Sequence, residues 1–226
     1  MRWSLSSNEQ AIAFQQNGFV ELSLERFMSH HADAVRRISE LDDADWSFIV
    51  KSRDGQVDLP GREVRRARAL HRKAERDAAA GLFSFSFRRL TEGCRNGREA
   101  FTELRDAFNS EAMRRLLKQA SGRAIGHQTL FYISWFDRGH FLGVHCDPGQ
   151  SIALVVNLTT CWAPAFGGIT HILSDDRARI LHSVVPACHT ALILETGQRS
   201  VPHYVSAVAV APPCRRLALV ARYAYP

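Results

Sequence analysis

After residue 124 the chain alternates between short apolar runs and short polar turns. Within most runs, apolar and polar positions alternate as they do along a strand, where successive side chains point to opposite faces. Seven such runs in about a hundred residues predict a sheet folded on itself, either a β-sandwich or a barrel. The runs are TLFYISWF, SIALVVNLT, ITHIL, ARILHSVV, TALILE, HYVSAVAV and RLALVARYAY.

The first half of the chain has helical periodicity instead. Apolar residues recur at roughly helical spacing in LERFMSHHADAVRRISEL, and SEAMRRLLKQASG opens on the capping residue Ser110 and closes on Gly122. Between them we expect KSRDGQVDLPG to be a loop, because Gly, Asp and Pro favour turns. The predicted fold class is α+β in a single domain, residues 1–226. Residues 1–123 provide mainly helical support, and residues 124–226 form a double-stranded β-helix, the jelly roll or cupin-like barrel.

Composition narrows the expected location and redox state of the protein. Hydrophobic residues make up 46% and charged residues 23% of the chain, which is ordinary for a globular protein. No apolar stretch is long enough to span a bilayer, and the first residues lack the order of a secretory signal, so we expect a cytoplasmic protein without a membrane partner. The five cysteines include no C-x-x-C pair, which predicts reduced thiols rather than a disulfide framework or a zinc ribbon.

The chain is basic, with a formal net charge of +6 and a pI near 9.4. This charge permits an anionic partner such as nucleic acid or an acidic small molecule. Much of the excess lies in GREVRRARALHRKAER, residues 61–76. We interpret this run as a solvated helical face in preference to a nucleic-acid-binding stripe, because no docking motif accompanies it.

One short motif carries candidate chemistry, the His145 and Asp147 pair in GVHCDPG. Residues i and i+2 of a strand face the same side, so the imidazole and the carboxylate can reach one point in space. A second histidine, His203, follows Pro202 at the start of another predicted strand. Two imidazoles and one carboxylate form the facial triad that is typical of non-haem Fe(II) oxygenases. Taken alone, the H-x-D pair is a weak signal for which surface or hydrogen-bonded residues at a strand end are the favoured interpretation. The order of the segments that follow reverses this preference.

From about residue 127 to the C-terminus the sequence resembles the 2-oxoglutarate- and Fe(II)-dependent oxygenases, in particular the prolyl 4-hydroxylase-like branch. The resemblance lies in four segments taken in order: YISWFDRGHFLGVHCD, VVNLTTCWAPAFGGIT, VPHYVSAV and CRRLALVARYAY. It implies a jelly-roll barrel in which His145, Asp147 and His203 hold Fe(II) at one mouth. Three coordination positions of the metal remain open, of which 2-oxoglutarate occupies two and O2 the third.

The resemblance also implies an arginine that pairs with the distal carboxylate of 2-oxoglutarate through both oxygens. Arg216, thirteen residues after His203, is the best match, and Arg215, which points to the opposite face, is the alternative. The spacing is longer than usual, and we expect the loop APP to absorb the difference. If Arg216 faces inward, so does Arg222. Their R-x5-R spacing resembles the AlkB-like branch, where both arginines hold the cosubstrate. Two alternatives for Arg222 are that it holds a carboxylate of the substrate, or that it is a strand-end arginine whose charged group only reaches toward solvent.

Other positions match the family pattern less closely. Asn157 corresponds to an inward position that often donates to 2-oxoglutarate. Phe136 stands where a tyrosine hydroxyl commonly binds the cosubstrate, and Tyr132 on the same strand face is a candidate substitute, with a core aromatic as the alternative. His140 is a candidate substrate contact, whereas Cys146 faces away from the metal by strand parity.

The expected activity is hydroxylation of an unactivated C–H bond in a small molecule, with an amino acid or an amino-acid-derived or peptidyl group as substrate. By the resemblance, Asp147 favours hydroxylation or desaturation over halogenation, because halogenating relatives have a small residue in its place. Two alternatives stay open. One is an AlkB-like dioxygenase that dealkylates nucleic acid, and the other is a cupin-like metal-binding protein that does not use 2-oxoglutarate.

Overall fold

The fold combines a wrapped antiparallel sheet with a layer of helices, and the computed structural model describes residues 6–147, 149, 151–211 and 214–226. The α-helices in this part of the chain are α1 (Ser7–Asn17), α2 (Glu25–Met28), α3 (Ala32–Ser39), α4 (Val64–Ala79), α5 (Arg98–Phe108) and α6 (Glu111–Ser121). The strands are β1 (Phe19–Ser23), β2 (Ser47–Ser52), β3 (Gly55–Pro60), β4 (Phe85–Leu90), β5 (Gln128–Phe136), β6 (Phe141–His145), β7 (Ser151–Asn157), β8 (Thr170–Leu173), β9 (Ile180–Val184), β10 (Thr190–Glu195), β11 (His203–Val205) and β12 (Arg216–Ala224).

The strands form one continuous antiparallel sheet in the order β1-β10-β7-β12-β5-β4-β6-β11-β8-β9, with β2 beside β4 and β3 beside β2. Most neighbours in this order are distant along the chain, so the strands join through crossovers rather than simple hairpins. This arrangement is the predicted jelly-roll barrel. Each of the seven runs read from the sequence contains a strand, although HYVSAVAV is a strand only over β11.

Strand β12 contributes side chains to both faces of the barrel wall. It lies between β5 and β7, with Ala218 opposite both Ser134 and Asn157. Its alternate side chains Leu217, Leu219, Ala221 and Tyr223 enter the core that the sheet shares with the helices. The others line the barrel interior, namely Arg216, Ala218, Val220 and Arg222. Arg216 and Arg222 therefore share one face of the strand, as the sequence predicts from strand parity.

The helical layer covers the outside of this wall. Helix α1 begins at a capping box between Ser6 and Glu9 and ends at Gly18 in the left-handed conformation. Helix α6 has the predicted residues as its caps, Ser110 at the N-terminus and Gly122 at the C-terminus. The fully buried side chains of the layer belong mainly to α5 and α6 and pack on β5, β7 and β12; they include Phe101, Leu104, Phe108, Met113 and Leu117.

Two expectations for the first half of the chain are wrong. The segment predicted to be a loop, residues 51–61, is largely part of the β2–β3 hairpin, whose ladder runs from Ser47 opposite Pro60 to Ser52 opposite Gly55. Of the residues that suggested a loop, Asp54 forms the two-residue connection with Arg53, whereas Gly55, Asp58 and Pro60 lie in β3. Strand β4 pairs with the other edge of β2 and holds it extended. The segment LERFMSHHADAVRRISEL is also not one helix, because a short 3-10 turn separates α2 from α3.

The basic segment lies on α4, and its arginines are exposed, as predicted for a solvated face. In the described part of the chain, no helix is both long and apolar enough to cross a membrane. The single-domain organisation and the cytoplasmic location stay predictions.

The packing of the helical layer predicts a large loss of stability on truncating one of its leucines. Leu104 on α5 is fully buried, whereas Leu181 on β9 is 55% exposed. We expect Leu104→Ala to lower the free energy of unfolding by about 2–5 kcal/mol through lost burial and a residual cavity. The matched Leu181→Ala change is expected to cost less than about 0.5 kcal/mol. Urea denaturation of both variants measures the difference, and equal losses would contradict this packing.

Candidate active site

Three ligand-type side chains meet inside the barrel because β6 and β11 pair. His145 ends β6 and lies directly opposite His203, the first residue of β11. Asp147 follows two residues after His145, and its carboxylate oxygens lie 3.6 Å from His145 Nε2 and 4.0 Å from His203 Nε2. One ligand atom from each residue lies within 4.8 Å of the others. The structure thus brings together all three residues predicted as metal ligands.

Backbone hydrogen bonds orient the two imidazoles. His145 Nδ1 lies 3.0 Å from the carbonyl oxygen of Gly143, and His203 Nδ1 lies 2.9 Å from that of Val201. A carbonyl oxygen only accepts, so each Nδ1 carries the proton and donates it. Nε2 is the ring nitrogen that faces Asp147 in both histidines. This is the arrangement that metal-binding histidines commonly have.

The protonation states also suit a cation. Burial and the neighbouring His145 lower the pKa of His203 to about 4, so that its ring is neutral at pH 7. Burial acts to raise the pKa of Asp147, but its neighbours His145, His203 and Arg222 together lower it to about 2. Metal binding requires a neutral imidazole and an ionised carboxylate. This donor set of two nitrogens and one oxygen fits Fe(II) as well as other first-row divalent ions.

A buried guanidinium lies in the same cavity. Arg216 is 2% exposed; its Nε donates to the carbonyl oxygen of Gly168 at 2.6 Å and its Nη2 to Thr170 Oγ1 at 3.1 Å. Burial lowers the pKa of Arg216 to about 10, which leaves the side chain charged at pH 7. Among the described residues no carboxylate forms an ion pair with it. A buried charge without a counter-charge is costly, so the site favours an anionic ligand.

Gly168 allows Arg216 to reach this position. Its φ of +62° lies in the left-handed region, and a Cβ added there would lie 2.8 Å from Arg216 Cδ. The Gly167–Gly168 pair, which the sequence indicates only as a turn, therefore also shapes the anion pocket. The metal-ligand candidates and Arg216 line one narrow cavity of about 60 Å³.

Comparison with known proteins gives matches among solved structures only. The sequence matches no model of a protein family and no curated protein. A prolyl hydroxylase from Trichoplax adhaerens, in complex with a hypoxia inducible factor oxygen degradation domain peptide fragment, is similar with a TM-score of 0.63 at 17% identity, over 97% of this chain and 89% of that one. A 2OG-Fe(II) oxygenase family protein from Burkholderia pseudomallei has a TM-score of 0.60 at 15% identity, over 97% and 91%.

A third similar structure is the non-haem α-ketoglutarate-dependent epimerase SnoN from nogalamycin biosynthesis, with a TM-score of 0.60 at 11% identity, over 97% of this chain and 80% of that one. The chain has the fold of the 2-oxoglutarate- and Fe(II)-dependent oxygenases. The resemblance read from the sequence is confirmed at the level of the fold, and the similar structures include a prolyl hydroxylase. The roles of individual residues rest on the geometry of this chain.

Arg222, the second arginine that faces the cavity of this oxygenase fold, contacts Asp147, one of the three candidate metal ligands. Arg222 Nη2 donates a short hydrogen bond to Asp147 Oδ1, while its Nε is buried without a hydrogen-bond partner. The side chain is 22% exposed and lines the cavity. Arg222 therefore neutralises and orients Asp147.

Tyr132 and Asn157 have different positions relative to the cavity. Tyr132 lines it and stacks on Phe87, and burial raises the pKa of Tyr132 to about 12, so its hydroxyl stays protonated and can donate. Asn157 is buried outside the cavity lining, and its amide nitrogen donates to Thr190 Oγ1 at 2.9 Å. Phe136 packs under the Arg216 guanidinium with 4.8 Å between Cζ and the ring centroid.

Arg215, the alternative to Arg216, points to the opposite face. Its guanidinium lies 4.1 Å from the Trp135 ring centroid and donates to the carbonyl oxygens of Ser39 and Leu41. It therefore ties β12 to the helical layer. Of the loop APP, which we expected to absorb the longer spacing, residues 212 and 213 lie outside the described residues.

His140, the candidate substrate contact, does not reach this cavity. Its ring lies outside the barrel interior, 5.3 Å from Phe48 and 5.7 Å from His71 between ring centroids.

The residue that sequence reasoning missed is Phe83, whose ring stacks on His145 at 5.4 Å between centroids while remaining 39% exposed. No spacing rule links it to the H-x-D motif, because it precedes β4 in the first half of the chain.

The burial of His140 predicts a pH dependence of stability. Burial and the nearby His71 lower its folded-state pKa from 6.5 to about 3. Between these values the unfolded chain binds a proton that the folded chain does not, so the free energy of unfolding falls as the pH decreases. We expect His140→Gln to reduce this slope by about 1 kcal/mol per pH unit near pH 5. Urea denaturation of the metal-free protein from pH 7 to pH 5 measures it, and an unchanged slope would show that His140 does not contribute.

Proposed function

We propose that the protein is an Fe(II)- and 2-oxoglutarate-dependent dioxygenase that hydroxylates an unactivated C–H bond. One observation carries the proposal: a His-Asp-His cluster suited to a divalent cation and a buried arginine without an acidic partner line the same cavity. A ligand with a metal-chelating end and a carboxylate at the other end satisfies both. 2-Oxoglutarate has this chemistry, and the solved structures with the same fold include 2OG-Fe(II) oxygenases.

In this proposal, His145 Nε2, His203 Nε2 and one oxygen of Asp147 hold the iron. When bound, iron supplies the oxidation, using O2 and converting 2-oxoglutarate to succinate and CO2. The protein contributes by fixing the geometry: the backbone carbonyls of Gly143 and Val201 hold the imidazole rings, and Arg222 holds the carboxylate. No separate general base is required of the protein.

Arg216 receives the distal carboxylate. A guanidinium has five N–H donors, and Gly168 and Thr170 occupy two of them, which leaves donors for a carboxylate in the cavity. Tyr132 is the second proposed donor, because its protonated hydroxyl lies in the same cavity. Asn157 is left out of this set because its amide is engaged by Thr190 outside the cavity lining.

The proposed substrate is an amino acid or an amino-acid-derived or peptidyl group. Phe83 offers an exposed apolar face directly beside His145, and the Lys51 ammonium lies 6.0 Å from the centroid of that ring. An aromatic face with a nearby cation suits a short carbon chain that bears a carboxylate. The T. adhaerens structure holds a peptide fragment, which is consistent with a peptidyl substrate in this fold.

Nucleic acid is a second candidate substrate. The exposed arginines of α4 and the inward Arg216 and Arg222 favour it. Arg222, however, is engaged by Asp147, so the spacing of the two arginines does not by itself support a nucleic-acid branch.

An anaerobic titration of the metal-free protein with Fe(II) and then 2-oxoglutarate tests the proposal. We expect the weak visible charge-transfer band of an iron-chelated keto acid in the wild-type protein. Arg216→Met removes a buried charge-assisted contact worth about 2–5 kcal/mol, so the 2-oxoglutarate concentration needed for the band should rise at least about 30-fold. Asp147→Ala should lose the iron and with it the band.

The adjacent arginine provides the matched control. Arg215→Met should leave the titration near that of the wild type, because Arg215 lies on the other face of β12. Absence of the band with iron demonstrably bound would move the function to a cupin-like metal-binding protein. A band that responds to Arg215→Met and not to Arg216→Met would reverse the assignment of the two arginines.

A further inference from the structure

Among the charged residues that the structure places along the active-site cavity, Arg222 has the most exposed side chain. Arg216 is 2% exposed, the side chains of Asp147 and His145 are 12% and 13% exposed, and that of Arg222 is 22% exposed. The candidate metal ligands therefore have a deeply buried arginine on one side and a more exposed arginine on the other. A cosubstrate carboxylate on Arg216 occupies the buried end, which leaves Arg222 on the side open to a substrate.

The Arg222 guanidinium is only partly used by the protein. Its Nη2 donates to Asp147 Oδ1, and its Nε is buried without a hydrogen-bond partner. Its Nη1 also has no hydrogen-bond partner in the described part of the chain, but unlike Nε it is accessible to solvent. A guanidinium presents its donors in a fixed fork. Arg222 can therefore hold Asp147 through Nη2 and bind a second carboxylate through Nη1 at the same time.

The charges of the cavity favour an anion at this position. Arg216 and Arg222 contribute two positive charges, and Asp147 is the one carboxylate among the described residues that line the cavity. A divalent cation and 2-oxoglutarate add two charges of each sign, so they leave the difference unchanged. One positive charge thus stays uncompensated when both are bound. Because a partly buried charge without a counter-charge is unfavourable, a substrate with one negative charge suits the site.

Two other cations near the cavity fit this role less well. Arg89 on β4 pairs with Asp58 on β3, so its charge is already compensated. The Lys51 ammonium lies 6.0 Å from the centroid of the Phe83 ring and has no contact with a candidate metal ligand. Arg222 contacts such a ligand directly. An anion that pairs with Arg222 therefore lies beside the metal position.

We propose that Arg222 binds a carboxylate of the substrate, and that the substrate is a monoanionic small molecule with this carboxylate close to the reacting carbon. The inference rests on the proposed function, because it assigns Arg216 to the cosubstrate. It narrows the substrate class, since the carboxyl group of an internal peptide residue is an uncharged amide. A free or N-acylated amino acid keeps the charge that pairs with a guanidinium.

Binding of two matched probes to the protein saturated with Mn(II) and 2-oxoglutarate tests the proposal. N-acetylalanine is a monoanion, and N-acetylalaninamide is its uncharged counterpart; neither has a free amine that could chelate the metal. Paramagnetic relaxation of the probe protons by Mn(II) reports binding beside the metal without any turnover. We expect the wild-type protein to bind the anion about 10-fold more tightly than the amide, and this comparison requires no variant to fold.

Variants identify the residue that is responsible. Arg222→Met should remove the preference for the anion, and Arg222→Lys, which keeps the charge, should retain part of it. Lys51→Met and Arg215→Met are the controls and should keep the full preference. Equal binding of both probes by the wild-type protein would overturn the proposal. A preference that is lost in Lys51→Met but kept in Arg222→Met would overturn it as well.

Calorimetric titration of 2-oxoglutarate into the Mn(II)-bound protein separates this inference from the proposed function. A wild-type protein that does not bind 2-oxoglutarate would contradict the proposed function and the inference together. If 2-oxoglutarate binds normally but Arg222→Met weakens its binding as strongly as Arg216→Met does, Arg222 is a cosubstrate ligand. In that case the inference alone fails.

Discussion

The alternation of side chains along β12 is the constraint on which the rest of the molecule depends. Leu217, Leu219 and Tyr223 join the core beneath the helices, and Arg216 and Arg222 consequently face the barrel interior. A shift by one residue would bury arginines in an apolar core and turn leucines into the cavity. The packing energy of the helical layer thus holds both guanidinium groups in place.

The cavity holds an unbalanced set of charges. Asp147 contributes one negative charge, and Arg216 and Arg222 contribute two positive charges. Arg222 compensates Asp147, so the charge of Arg216 has no counterpart among the described residues. A divalent cation alone would add to the positive charge, and a dianion alone would lack a partner at the histidine end. The two together add no net charge, and the dianion supplies the counter-charge that Arg216 lacks, which is why this arrangement couples cation and dianion binding.

Much of this arrangement follows from local sequence rules, and the remainder does not. Strand parity predicted that His145 and Asp147 face one point and that Arg222 shares the face of Arg216, and the structure agrees. The β2–β3 hairpin escaped prediction because β4, a strand distant in sequence, holds it extended. The stacking of Phe83 on His145 likewise depends on long-range pairing, which no short motif records.

Calorimetric titration of 2-oxoglutarate into the protein, with and without Mn(II) as an oxygen-inert substitute for Fe(II), tests the coupling most directly. Glutarate, which keeps both carboxylates but lacks the keto group, is the matched ligand. We expect Mn(II) to tighten 2-oxoglutarate binding by about 100-fold and glutarate binding far less. Equal affinity for 2-oxoglutarate with and without the bound metal would contradict a shared site for cation and dianion.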